Sequence, residues 1–92
     1  LSLKPIIMTL QHIKSDVYQF IAGDYLNVFL TEKELRNFIY KNDIADVYKT
    51  PIGWFVNHDK GQLPFHHYLK VMSEGALDSL AIILQNEIYE HE

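Results

Sequence analysis

The sequence predicts an α+β fold of one small domain, in the order helix, strand, helix, short helix, hairpin, helix. Three observations carry this expectation. Apolar residues recur at three- and four-residue steps at both ends of the chain, a helix-capping signature stands at Thr31, and two alternating runs flank a turn sequence at residues 58–61. With 92 residues and 48% hydrophobic content, the chain has material for a single core and for no second domain.

Ile6, Leu10, Ile13, Val17, Phe20 and Ile21 follow the period of a helix that buries one stripe, and Pro5 suits its first turn. The first helix is therefore expected from about Pro5 to Ala22, ended by Gly23 and Asp24. In YLNVFL, the alternation of Leu26, Val28 and Leu30 predicts a short strand. Thr31-Glu32-Lys33-Glu34 reads as a capping box, so a second helix starts there, buries Leu35, Phe38 and Ile39, and stops near Asn42. Ile44, Val47 and Tyr48 in DIADVYK fit two further helical turns, which Thr50-Pro51 closes.

Residues 52–57 and about 62–71 are expected to pair as a β-hairpin around His58-Asp59-Lys60-Gly61. Pro64 would push the return strand to an edge or a bulge, and a competing reading starts a helix at that proline. Leu77, Leu80, Ala81, Leu84 and Ile88 mark a last helix over about Gly75 to Glu90, with Ser73 as its cap.

Composition narrows the chemistry. The chain has no cysteine, which removes disulfides and thiolate sites and fits a reducing cytoplasm. No window holds the uninterrupted apolar run of a membrane span, and the N-terminal LSLKPIIM lacks the features of a signal peptide. Leu1 in place of Met points to vector-derived residues over 1–7. The net charge is −4, yet residues 33–70 hold six basic against four acidic side chains, a local balance of +2. A mildly basic middle between acidic ends would turn one face toward a polyanion.

His58, Asp59, His66 and His67 raise the question of a metal or acid–base site. Adjacent strand residues point to opposite faces, however, and no HExxH-like spacing exists, so polar lining is the simpler reading. Trp54 with Phe55 can serve as a stacking platform or as core plus one surface aromatic. No phosphate loop, nucleophile elbow or catalytic carboxylate pair is present in the sequence. The expectation is a protein that is not an enzyme and takes no cofactor and no metal.

The order of elements resembles the winged-helix form of the helix-turn-helix, as in regulators of the MarR and PadR kind. Tyr68-Leu69-Lys70-Val71-Met72-Ser73-Glu74-Gly75 is similar to the pattern that closes their wing. Leu30-Thr31-Glu32-Lys33-Glu34-Leu35 looks like the opening of their second helix, and Gly53-Trp54-Phe55-Val56 like their entry to the wing.

The resemblance implies a small transcriptional regulator on double-stranded DNA. Lys41, Asn42, Tyr48, Lys49 and Thr50 would lie at the major groove, with Lys60 and His66 of the wing near phosphate or base edges. It also implies a homodimer held by the first and last helices, through Ile6, Leu10, Leu80, Ile83, Leu84 and Ile88. The alternative is an acidic protein–protein interaction module, an inhibitor or adaptor from a phage or other mobile element. Such a module would expose Asp43, Asp46 and Asp59 instead.

Overall fold

The computed structural model describes residues 6–90, with side chains as far as Ile88. Along it run β1 (Met8–Lys14), β2 (Val17–Ala22), β3 (Leu26–Thr31), α1 (Glu32–Lys41), β4 (Asp46–Thr50), β5 (Gly53–His58), β6 (Gly61–Pro64), α2 (Phe65–Tyr68) and α3 (Glu74–Glu90). The strands form two antiparallel three-stranded sheets, β1-β2-β3 and β4-β5-β6. This overturns the winged-helix order: the chain leads with a sheet, and α1 is followed by a strand where a recognition helix was expected.

The expected first helix is the β1–β2 hairpin. Lys14 faces Val17 across a two-residue turn of Ser15 and Asp16, with Ser15 at a φ of 40°. Leu10 and Phe20 pair on the inner face, whereas Val17 and Ile21 lie on the outer one, so the apolar spacing mixed two faces of a hairpin into one helical stripe. β-Branched and aromatic side chains at 17, 18, 20 and 21 also favour the strand. Pro5, read as the first-turn residue of that helix, lies outside the described residues. Gly23, at a φ of 53°, opens the turn into β3, where the alternation of Leu26, Val28 and Leu30 is realised.

The capping box forms as its sequence indicates. Thr31 Oγ1 accepts from the Glu34 amide at 3.1 Å, and Glu34 Oε1 accepts from the Thr31 amide at 2.9 Å. At the other end, Asn42 caps α1 and Asp43 adopts a φ of 52°. The Ile44 amide then donates to Ile39 O at 3.0 Å and the Asp43 amide to Tyr40 O at 3.3 Å. These two bonds are the Schellman arrangement, which turns the chain away from the helix axis. The two expected turns of helix over DIADVYK give way to β4 for that reason.

Asp59 and Lys60 turn the β5–β6 hairpin, with His58 paired to Gly61. The return strand is shorter than expected: it ends at Pro64, which has no amide to donate, and α2 begins at Phe65. The hairpin thus forms over its first half, and a single helical turn, shorter than the competing reading, takes the place of the rest.

α3 starts where Ser73 Oγ accepts from the Ala76 amide at 3.2 Å. Leu80, Ala81 and Leu84 of α3 join Phe20, Leu35, Ile39, Val56 and Phe65 in one core that both sheets share. Apart from the tyrosines, no side chain with a polar or charged group is buried among the described residues. None of their helices is long and apolar enough to cross a membrane.

Because Asp43 holds a left-handed conformation, Asp43→Gly should raise the free energy of urea unfolding by about 0.5–1 kcal/mol, and Asp43→Val should lower it by about 1 kcal/mol. Had the segment continued as helix, glycine would destabilise it. A loss of stability in the glycine variant would therefore contradict the observed turn.

Candidate functional site

The residues expected at a DNA groove do not all share one surface. Lys41 ends α1, and Asn42 donates its side-chain amide to Phe38 O at 2.9 Å. Tyr48 and Lys49 are neighbours on β4 and point to opposite faces. Tyr48 stacks on Phe55 with ring centroids 6.2 Å apart, and its hydroxyl is buried without a hydrogen-bond partner. Thr50 is consumed by the β4–β5 turn, where its hydroxyl accepts from the Ile52 amide and donates to Gly53 O. Lys60 lies past the end of β5 and Lys49 pairs with Trp54 near its start, about 13 Å away along the strand. His66 sits on α2 with its ring 4.2 Å from that of His67.

The expected dimer residues are also divided. Leu80 and Leu84 are buried in the protomer's own core, and Leu10 packs half-buried against it. Ile83 is half-buried, while Ile6 and Ile88 are exposed. The first of the two helices that were to pair is absent from the fold.

What the structure does assemble is an uncovered sheet face. The inner side of β1-β2-β3 carries the apolar residues of the core. Its outer side brings together Thr9, Ile21 and Asn27 in one cross-strand row, Gln11, Gln19 and Phe29 in the next, and Lys14, Val17 and Thr31 in the last. Lys14 is the only charge among them. Gln11 Nε2 donates to Gln19 Oε1 at 2.8 Å, and Gln19 Nε2 donates to Asn27 Oδ1 at 2.9 Å. This amide chain crosses all three strands, so its side chains are already ordered. Beside it, Phe29 is 63% exposed.

Thr9, Gln11, Gln19, Asn27 and Phe29 carry no motif in the sequence, and Val17 and Ile21 read there as part of a helical stripe rather than of a sheet face. The usable signal was the alternation of Gln11 with Leu10 and His12, of Gln19 with Tyr18 and Phe20, and of Phe29 with Val28 and Leu30.

A second grouping lies on the inner side of the other sheet, where α1 meets the β4–β5 hairpin. The Arg36 guanidinium stands 4.4 Å from the Trp54 ring centroid, and Lys49 Nζ stands 5.4 Å from it. Among the described residues, neither cation has a carboxylate partner.

An open cleft of about 410 Å³ is the third feature. It is bounded by the α1–β4 turn (Asn42, Asp43), the β5–β6 turn (Asn57, His58, Asp59), Tyr68, and the start of α3 (Ser73, Ala76). His58 Nδ1 accepts from the Lys60 amide at 3.2 Å, which leaves the proton of a neutral ring on Nε2. No cluster of three His, Asp or Glu that could hold a metal ion occurs among the described residues. Burial pushes the Tyr68 phenol above its ordinary value, so it remains a hydrogen-bond donor at neutral pH. Comparison with protein-family models, with curated proteins and with solved structures found no match.

Tyr18 behaves like Tyr68: burial raises its pKa first, followed by the carboxylates of Glu32 and Asp16. A phenol whose folded-state pKa is raised contributes stability that is intact below the unfolded value of about 10 and is lost as pH climbs through the folded one. Urea midpoints should therefore hold to about pH 10 and fall above it, less steeply in Tyr68→Phe. An unchanged alkaline slope in that variant would show that the Tyr68 phenol does not contribute to it.

Proposed function

We propose that this chain is a protein-binding module that docks through the outer face of β1-β2-β3. The carrying observation is the near absence of charge on a solvent-facing sheet, in a chain where 22% of residues are charged. A sheet face that meets only water normally alternates polar and charged side chains outward. Here Phe29 and Ile21 flank a pre-ordered row of amides, and protein interfaces are depleted of charge at their centres and enriched in aromatic side chains. Ordering the amides within the free protein lowers the entropic cost of binding.

The same reading accommodates an inhibitor or an adaptor. DNA binding is favoured less, since its seven candidate residues spread over the end of α1, both faces of β4, the β5–β6 turn and α2. It would need a cation track on one surface.

The test compares the wild type with Phe29→Asp and Gln19→Glu in affinity capture from the source cells and in sedimentation. Both variants replace outer-face residues, so thermal unfolding should shift by no more than about 0.5 kcal/mol in stability terms. Wild type should retain a stoichiometric partner, or a second copy of itself, that both variants lose. Equal capture by all three proteins would remove the outer face from the interface. Retention of random duplex DNA, with affinity falling steeply as salt rises, would restore the nucleic-acid reading.

A further inference from the structure

We propose that Arg36, Trp54 and Lys49 form a carboxylate-binding subsite for a short acidic segment of a protein partner. Trp54 is half-buried on β5, faces Lys49 across the β4–β5 ladder, and is covered by Arg36 from α1. A guanidinium lying over an indole face can direct its N–H donors sideways, in its own plane above the ring, where a ligand at the edge reaches them. No carboxylate among the described residues takes those donors or the Lys49 ammonium. Both cations are thus placed beside one ring rather than beside counter-charges, and two unneutralised cations at one aromatic suit an incoming oxyanion. Ile52, at the tip of the same hairpin, is 85% exposed and offers an apolar contact beside the charge.

A carboxylate-bearing peptide fits better than nucleic acid on two grounds. Arg36 already occupies a face of the indole at 4.4 Å, so a base stacking there would have to displace it. The chain also carries a net charge of −4, which repels a long polyanion far more than a few carboxylates. The ligand class rests on the protein-binding reading, but the site is separate from the outer face of β1-β2-β3.

Trp54 is the only tryptophan, so its fluorescence reports this site alone. The experiment titrates the full chain with an acetylated hexapeptide of Glu and Asp containing one Phe, with its Gln and Asn isostere, and with a short oligothymidylate. The acidic peptide should give a saturable change that weakens as salt rises, and the isostere should give none. Arg36→Gln and Lys49→Gln should each lower the affinity about fivefold, as loss of one exposed charge pair implies.

Lys60→Gln and Phe29→Asp should leave the response as it is, which separates failure here from failure of the outer-face reading. No response to the acidic peptide, an equal response to the isostere, or an equal loss in Lys60→Gln would overturn the subsite. A response to oligothymidylate in place of the peptide would make it a nucleic-acid site. Unchanged circular dichroism in the two Gln variants guards against misreading a folding defect.

Discussion

The junction at Thr31 is the constraint on which the architecture depends. Thr31 is the last residue of β3, paired with Val17, and also the cap of α1. One residue therefore ends a strand and starts a helix with no loop between. The Glu32 amide is taken by Asp16, through Oδ1 at 3.0 Å and the backbone oxygen at 3.2 Å, so the β1–β2 turn is fastened to the same helix end. Amides that would otherwise be orphaned at the first turn are satisfied by groups from the sheet. Helix direction, sheet position and turn are fixed together. Leu35 and Ile39 then face the core, and β4 is delivered alongside α1 by the Schellman turn at Asp43.

The elements legible in the sequence are those specified by local chemistry. The capping box, the β3 alternation, the start of α3 at Ser73 and the Asp59-Lys60 turn each depend on residues within a few positions of one another. β1, β2 and β4 were not legible, because two signals coincided. A two-residue turn at Ser15 and Asp16 shifts the phase of alternation, and two alternating runs placed back to back then imitate steps of three and four. Similarly, Ile44, Val47 and Tyr48 keep helical spacing, although the left-handed residue before them forbids continuation. Only pairing with β5 reveals the strand, and that contact is not local.

Candidate sites follow the same division. Lys49 and Trp54 could be suspected individually, yet nothing in the sequence joins them to Arg36, which belongs to another element. The local charge balance was a true property of residues 33–70 but a poor guide to a surface. A strand separates its neighbours, so Tyr48 and Lys49 face apart. A helix adds its own rotation. Of six basic residues in that window, Arg36 and Lys49 are brought to a common ring, while Lys41 and Lys60 sit at a helix end and a hairpin turn.

The core and the proposed docking surface fall on opposite sides of the same strands. On β2, Tyr18, Phe20 and Ala22 are buried, whereas Val17, Gln19 and Ile21 alternate outward. Burying a phenylalanine contributes on the order of 1.5–3 kcal/mol, while a solvent-facing amide contributes little to folding. The outer residues can therefore serve a partner without weakening the core. That freedom has a hazard, since a sheet face with a single charge and an exposed aromatic is also a template for self-association. The amide row limits it. Gln11, Gln19 and Asn27 already satisfy one another across the three strands, so a second surface must match their remaining donors and acceptors to displace water from them, and chance apolar contacts do not.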